Sequence, residues 1–233
     1  MVCVIGDIHG CYNTLVHLVK KIKGKYPSVP LYSVGDLVDR GQFSCDVIDF
    51  IYKEGIKFTP GNHDYMFFHY IENPQSVMGN SWLYNGFEPT IESYEGKNYK
   101  IREHINFIKS APLYYNLDDC FISHAGISIK FKDRLPSKVL IDKQKLDDLI
   151  WSEIESDESI LWTRNQLLNL GKLQVVGHTR KEEVQYLKTN NTVYIDTSAY
   201  TGNLLTAIVV NKDKIIDTIS IETAEIDLAG MYR

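Results

Sequence analysis

Short, largely apolar runs alternate with segments of helical periodicity over the first 60 residues of the chain. The runs end at glycine or proline, and the segments between them place apolar residues three and four positions apart. This pattern predicts strands at 2–5, 31–34 and 56–59, and helices at 12–22 and 47–52. Because parallel strands joined by right-handed crossovers gather functional groups beyond their carboxyl ends, we expect a site at that edge of the sheet.

The remainder of the chain is first helical and then β. Helices are predicted at 82–94 and 99–108 from the spacing of apolar residues. Two short runs separated by a pair of aspartates predict a hairpin at 113–116 and 120–123, and a further helix is predicted within 142–159. After residue 173 the pattern predicts five strands, at 173–176, 184–187, 192–195, 204–210 and 214–219.

The predicted fold class is α/β, a mixed β-sandwich flanked by helices, with a β-α-β-α-β start and an all-β C-terminal part. We expect one domain over residues 1–233, because no linker, repeat or low-complexity tract interrupts the chain. Residues 65–112 are expected to form a helical segment that covers the site.

The composition of the chain narrows the classes of function. Its hydrophobic content of 44% is ordinary for a globular core. A net charge of −5 argues against binding along a nucleic-acid backbone, which requires clustered lysine and arginine. We expect no membrane partner, since no apolar stretch approaches the roughly 20 residues of a membrane span. Four cysteines without framework spacing, and a first strand that starts at Val2, predict reduced thiols, no signal peptide and a cytoplasmic location.

Residues with metal-ligating side chains follow the predicted strands. The motifs are GDIHG at 6–10, GDLVDRG at 35–41, GNHD at 61–64, HAG at 124–126 and GHT at 177–179. One aspartate or asparagine after a strand commonly caps the next helix, but five ordered motifs indicate a shared centre. Carboxylate, imidazole and amide donors without thiolate suit manganese, iron or zinc. Two such ions would acidify a bridging water and stabilise the entering and leaving oxygens of an in-line displacement, so the motifs predict a phosphoester hydrolase.

In this order the motifs resemble the phosphoprotein phosphatase branch of the calcineurin-like metallophosphoesterases. The likeness is greatest to bacterial and phage members and to the bacterial symmetrical diadenosine tetraphosphatases, and it covers nearly the whole chain. It implies that two divalent ions, with manganese the expected metal and iron or zinc the alternatives, share one aspartate. The implied ligands are Asp7, His9 and Asp36 for one ion, and Asp36, Asn62, His124 and His178 for the other.

The resemblance also implies two arginines that grip the phosphate. Arg40 is one of them, and the segment ILWTR at 160–164 assigns Arg164 as the other, with Arg180 as the alternative. Planar guanidinium groups suit this role because each forms paired hydrogen bonds with phosphoryl oxygens.

A histidine and an aspartate complete the implied catalytic set. His63 is similar to the general acid of the family, and Asp39 would hold its ring. The chain departs from the family at 196–199, where it reads DTSA and the family usually has DTGA. Ser198 therefore stands in a glycine position, which we expect to alter the local backbone without removing activity.

The expected function is a protein phosphatase that acts on phosphoserine and phosphothreonine, with phosphotyrosine as a further substrate. A metal-bridging hydroxide would attack the phosphorus directly. The alternative is a symmetrical bis(5'-nucleosyl)-tetraphosphatase that cleaves diadenosine tetraphosphate to two ADP. A third hypothesis, a catalytically silent module that binds phosphorylated partners, predicts a missing ligand or acid, and the sequence contains all of them. The substrate partner is thus a phosphoprotein or a dinucleoside polyphosphate, and the oligomeric state stays open.

Overall fold

The computed structural model describes residues 1–135, 140 and 142–228. The strands are β1 (Val2–Ile5), β2 (Leu31–Ser33), β3 (Lys57–Phe58), β4 (Tyr114–Asn116), β5 (Phe121–Ser123), β6 (Gln174–Val176), β7 (Gln185–Leu187), β8 (Thr192–Tyr194), β9 (Leu204–Asn211) and β10 (Lys214–Glu222). The helices are α1 (Tyr12–Lys25), α2 (Ser44–Glu54), α3 (Asn62–Glu72), α4 (Val77–Trp82), α5 (Glu88–Ser93), α6 (Ile101–Ser110) and α7 (Lys143–Ser152). Short 3₁₀ turns occupy Asn98–Lys100, Ile129–Phe131, Ala199–Thr201 and Glu225–Leu228.

The strands form two mixed sheets, which confirms the predicted α/β sandwich. One sheet has the order β10-β9-β1-β2-β3, in which β1, β2 and β3 are parallel to one another. The other has the order β4-β5-β6-β8-β7, in which β5, β6 and β8 are parallel. The predicted β-α-β-α-β start and the hairpin of β4 and β5 are both present.

Strand β1 shows how the sequence places the two layers of core. Val2 and Val4 pack into the apolar cluster that also holds residues of the second sheet, such as Ile122 and Val175. Cys3 and Ile5 face the opposite way, into the apolar cluster formed with α1 and α2. Because side chains alternate between the faces of a strand, a strand buried on both faces reads as a continuous apolar run.

One predicted helix is wrong in its extent. The sequence predicts a helix at 82–94, but α4 ends at Trp82 and α5 begins at Glu88. Gly86 between them has φ +79°, a left-handed conformation that a continuous right-handed helix cannot contain, and Pro89 lies in the first turn of α5. The predicted helix at 99–108 corresponds to α6, and α7 fills the first part of the segment predicted at 142–159.

All four cysteines lie in described parts of the chain and are buried free thiols. Within the ranges that the structure describes, no helix has the length and apolar character needed to cross a membrane.

Candidate active site

The polar motifs meet in a cleft at one end of the sandwich. They follow the carboxyl ends of parallel strands of both sheets, with Asp7 after β1, Asp36 after β2, His124 after β5 and His178 after β6. The cleft has a volume of about 210 Å³. Its lining comprises Asp7, His9, Asp36, Arg40, Asn62, His63, Asn85, Trp162, Arg164, His178, Arg180, Asp196 and Tyr200.

Asp36 lies between imidazoles on two sides. Its Oδ2 is 3.3 Å from His9 Nε2, and its Oδ1 is 3.6 Å from His124 Nε2. Two groups of side chains have ligand atoms close enough to hold an ion, and Asp36 belongs to both. One group adds His9 and His63, and the other adds Asp7 and His124. The arrangement therefore has the form of two adjacent ligand sets that share one carboxylate.

Three atoms that carry lone pairs converge beside Asp36. His124 Nε2 and His178 Nδ1 each lie 2.9 Å from Asn62 Oδ1. The other nitrogen of each ring faces a backbone carbonyl oxygen, of Val34 at 2.8 Å and of Trp162 at 3.0 Å, which assigns the ring proton to that side. Burial lowers the pKa of both histidines, so neither ring readily takes a second proton. Converging acceptors of this kind suit a bound cation.

His9 is oriented in the same manner. Its Nδ1 lies 2.9 Å from the carbonyl oxygen of Val38, and its Nε2 faces the cleft. Burial, with a contribution from the Arg40 charge, lowers the pKa of His9. A ring nitrogen fixed by a second partner is the usual arrangement of metal-ligating histidine.

Asp7 brings a carboxylate into the same space. Among the described residues, Asp7 Oδ1 has no hydrogen-bond partner although it is buried, whereas Oδ2 accepts a bond from the backbone amide of His178 at 3.0 Å. Burial and the nearby Asp196 and Asp36 raise the pKa of Asp7. An unpartnered buried oxygen among like charges fits a cation ligand. A bound cation would offset both the burial of an unpaired oxygen and the repulsion between the carboxylates.

Glycines allow the carboxylates to approach the backbone. A Cβ at Gly177 would overlap Asp7 Oδ1, and a Cβ at Gly61 would overlap Asp36 Oδ1. The glycines of the GHT and GNHD motifs are thus explained by close packing against the two acids.

The other acids of the site differ in their environment. Burial raises the pKa of Asp36, but the surrounding imidazoles and Arg40 outweigh it and hold this carboxyl ionised, with its pKa below the ordinary value. Burial raises the pKa of Asp196 to about 6. Asp64 is buried with a raised pKa, and its two oxygens accept bonds from the backbone amides of Leu37 and Gly61. Asp64 therefore joins two site loops.

His63 and Asp39 form the predicted pair. His63 Nδ1 lies 2.7 Å from Asp39 Oδ2, and both side chains are buried. The Nε2 atom of His63 faces the cleft, where it accepts a bond from Arg40 Nη2 at 2.9 Å. The ring is thus oriented with one nitrogen toward Asp39 and the other toward the place a substrate would occupy.

Residues of the covering segment 65–112 donate hydrogen bonds to Asp39. Trp82 Nε1 donates to both carboxylate oxygens of Asp39 at 2.9 Å, and Thr90 Oγ1 donates to Oδ1 at the same distance. The backbone amide of Arg40 donates to the carbonyl oxygen of Gly86 at 2.9 Å. Helices α4 and α5 are therefore bonded to the site loop, as a fixed wall would be.

Three arginines lie at the cleft. Arg40 also donates to His9 Nε2 at 2.9 Å. Arg164 Nη1 donates to the carbonyl oxygen of His178 at 3.1 Å. Arg180, the alternative considered from the sequence, donates through Nη1 to the hydroxyl of Tyr200 at 2.8 Å. The structure brings all three to the cleft.

Left-handed backbone conformations concentrate at this site. Among described residues other than glycine, those with positive φ in the site are His9, Asp36, Asp39, Arg40, His178 and Ser198. Three others, Asn191, Lys212 and Asp213, lie in turns between strands. Such conformations are costly for residues with a Cβ and persist at functional sites when the surrounding bonds enforce them.

The sequence did not assign roles to every residue that lines the cleft. Asp196 follows the end of β8 as the assigned acids follow their strands, so its position carried the same signal. Tyr200 lies in a short 3₁₀ turn and Asn85 in an irregular segment, and no local pattern in the sequence indicates where they point.

The chain is similar to a known family and to several known proteins. The family model described as calcineurin-like phosphoesterase matches residues 1–195. The asymmetrical bis(5'-nucleosyl)-tetraphosphatase PrpE of Anoxybacillus flavithermus is 34% identical over 230 residues, covering 88% of each chain. PrpE of Bacillus subtilis, with the same description, is 32% identical over 228 residues, covering 87% of this chain and 88% of its own.

A solved structure gives the same fold. The cold-active protein-tyrosine phosphatase of a psychrophilic Shewanella species superposes with a TM-score of 0.63 at 19% identity, over 96% of this chain and 80% of its own.

Proposed function

The chain belongs to the calcineurin-like phosphoesterase family of hydrolases, and from that premise we propose that it cleaves dinucleoside tetraphosphates unequally, into a nucleoside triphosphate and a nucleoside monophosphate. The proposed hydrolysis is supported by the position of Asp36, whose oxygens face His9 on one side and His124 on the other. The choice of substrate is supported by the relatives at 34% and 32% identity, which are described as asymmetrical tetraphosphatases.

The donors in the cleft fit divalent metal ions, which members of this family use. When bound, such ions acidify water and polarise phosphoryl oxygens. We assign Asp7, His9, Asp36, Asn62, His124 and His178 to hold two of them, with manganese as the first candidate. Asn62 and the unprotonated ring nitrogens of His124 and His178 suit this role because each offers a lone pair.

The remaining residues act on the substrate in this proposal. Arg40 turns its two terminal nitrogens from His9 and His63 to the phosphoryl oxygens, and Arg164 contacts the same group. These charges favour the transition state because negative charge spreads over the equatorial oxygens. Once Arg40 has turned away, His63 Nε2 carries a proton, and the ring, held by Asp39, gives that proton to the leaving oxygen. The attacking water loses a proton in the same reaction, so the proton count balances. Water attacks directly, so no phosphoenzyme forms.

Protein phosphatase activity is the second candidate. The cleft of about 210 Å³ accommodates a phosphoryl group and its immediate neighbours, so the nucleosides of a dinucleotide would lie outside it. A phosphorylated serine, threonine or tyrosine side chain would enter such a cleft equally well. The symmetrical tetraphosphatase suggested by the motifs is less supported, since the relatives are described as asymmetrical.

The test compares substrates for the manganese-loaded protein. Diadenosine tetraphosphate is assayed beside peptides that carry phosphoserine, phosphothreonine or phosphotyrosine, with products separated by chromatography. The proposal predicts the highest kcat/KM for the dinucleotide, with ATP and AMP in equal amounts. If the product is two molecules of ADP, the proposal is wrong and the reaction is the symmetrical one. If kcat/KM is higher for a phosphopeptide, the proposal is wrong and the protein is a protein phosphatase.

A further inference from the structure

The cleft has one arginine more than the proposed phosphate grip uses. Arg40, Arg164 and Arg180 all line it. In the part of the chain that the structure describes, none of these three arginines forms a salt bridge with a carboxylate. The arginine that does is Arg134, which pairs with Glu153. Their guanidinium groups therefore retain donors for an anionic ligand, since each guanidinium carries five N–H groups.

Tyr200 connects Arg180 to Arg40. The Arg40 guanidinium carbon lies 4.3 Å from the centroid of the Tyr200 ring, and the Arg180 guanidinium carbon lies 5.8 Å from it. Arg180 also donates to the Tyr200 hydroxyl at 2.8 Å. The edge of the ring packs on His9, with centroids 5.0 Å apart. One aromatic side chain thus holds the two cations in a fixed relation.

The geometry points to Arg180 and Tyr200 as a subsite for a second phosphoryl group, next to the one that is hydrolysed. This inference rests on the proposed function. Arg40 lies at the imidazoles His9 and His63, where the reacting phosphoryl group would bind. Arg180 lies on the far side of the Tyr200 hydroxyl and is exposed at the mouth of the cleft. It contacts the part of the substrate that extends outward.

The chemistry of the substrate explains why this subsite would confer specificity. In a polyphosphate chain the reacting phosphoryl group is bonded through oxygen to another, which carries its own negative charge. A phosphorylated side chain or a simple phosphate monoester has no such neighbour. A guanidinium at the mouth therefore favours the polyphosphate, because paired hydrogen bonds to a charged group are among the strongest polar contacts.

Arg164 is held differently and serves as the comparison. It donates to the backbone carbonyl of His178, a proposed metal ligand whose ring Nδ1 lies 2.9 Å from Asn62 Oδ1. Both arginines are exposed, but Arg164 is bonded to the backbone of a proposed metal ligand, whereas Arg180 is bonded to the hydroxyl of Tyr200, which is not a ligand. Loss of Arg164 should thus affect all substrates alike, and loss of Arg180 should affect polyphosphates most.

The test measures kcat/KM for diadenosine tetraphosphate and for p-nitrophenyl phosphate in wild type, Arg180→Gln and Arg164→Gln, all loaded with manganese. Arg102→Gln, an exposed change on α6, is the matched control. We expect Arg180→Gln to lower the tetraphosphate-to-monoester ratio by about ten- to a hundredfold, the loss expected for a charged hydrogen bond. Arg164→Gln should lower both rates and leave the ratio within about threefold. Tyr200→Phe, which removes the hydroxyl that holds Arg180, should lower the ratio by a smaller factor.

A second measurement separates this inference from the proposed function. Inorganic tripolyphosphate and inorganic phosphate are used as inhibitors of p-nitrophenyl phosphate hydrolysis at constant free manganese. Arg180→Gln should raise the inhibition constant of tripolyphosphate at least tenfold more than that of phosphate. This result would support the subsite even if the wild type hydrolysed no dinucleotide. If the inhibition constants of both inhibitors rise equally, Arg180 binds the reacting phosphoryl group. If neither constant rises, Arg180 does not bind phosphate. Either outcome overturns the inference.

Discussion

Ser198 is a residue whose identity conflicts with its backbone. Its φ of +61° and ψ of +43° are left-handed, and its amide donates to Asp196 Oδ1 at 2.9 Å. The glycine that the family resemblance implies at this position would suit this conformation, because a Cβ is disfavoured in it. Whether the serine alters the local backbone relative to glycine stays a prediction.

Replacing Ser198 with glycine should stabilise the protein. We expect Ser198→Gly to raise the free energy of unfolding by about 0.5–1 kcal/mol, since the relief of the left-handed strain exceeds the added entropy of the unfolded chain. Urea unfolding measures the difference. Ser198→Ala is the control, because alanine keeps the Cβ, and it should give no gain. Equal stabilisation by both changes would show that the strain is not the cause.

Asp196 should make stability depend on pH. Burial raises its pKa to about 6 in the folded protein, above the ordinary value of 3.8. The stability contributed by the neutral form is fully present below about pH 4 and is lost as the pH rises through 6. We therefore expect metal-free wild type and Asp196→Asn to be about equally stable at pH 4. By pH 8 the variant should be more stable by about 3 kcal/mol, at 1.36 kcal/mol for each unit of pKa.

Urea unfolding of both proteins in chelator, between pH 4 and 8, measures this difference. A difference that stays constant, or that favours the wild type as the pH rises, would contradict the assigned environment of Asp196.

Residue chemistry was predictable where a strand places the residue. Asp7, Asp36 and His178 follow strands that are buried on both faces, and the end of each continuous apolar run marks where the strand ends. The bonds between them could not be predicted, because they join residues far apart in sequence, such as the His178 amide and Asp7.

At the scale of elements, helices α4 and α5 act as a wall that belongs to the site. Trp82 and Phe67 are fully buried and belong to the core, whereas Tyr84 is 81% exposed. The bonds of Trp82 and Thr90 to Asp39 come from this wall. The sequence predicted a helical cover, but its contact with the acid depends on the break at Gly86, where tertiary bonding overrides the helical pattern.

Removing the indole N–H should therefore weaken both stability and turnover. We expect Trp82→Phe to lower the free energy of unfolding by about 1–3 kcal/mol, because a buried carboxylate loses a donor. Turnover should fall most for substrates with poor leaving groups, since Asp39 would no longer be held against His63. Trp151→Phe on α7 is the matched control, because Trp151 is 62% exposed. Equal effects of the two changes, in unfolding or in turnover, would exclude this role for the wall.

At the scale of the molecule, two sheets and a terminal turn converge on one edge. The parallel strands of both sheets end there, and Asp227 accepts bonds from the backbone amides of Asn13 and Thr14 at the start of α1. The amide of Gln42 donates to the carbonyl of Asp227, so this turn also holds the loop after Arg40. The sandwich was predictable from strand order, whereas the anchoring by Asp227 was not, since it joins residues more than 200 positions apart.

The central claim is that Asp36 is shared by two metal ions that the hydrolase requires. The most direct measurement is the number of manganese ions bound per chain, determined by elemental analysis together with hydrolysis rates, for wild type, Asp36→Asn and the control Asp157→Asn, a change at an exposed aspartate.

We expect two ions per chain in wild type and in the control, loss of activity in chelator and its return with manganese. Asp36→Asn should bind fewer than one ion and lose at least a hundredfold in kcat, because both ligand sets lose a member. Two ions retained in Asp36→Asn, or full activity of the wild type with one ion, would contradict the central claim.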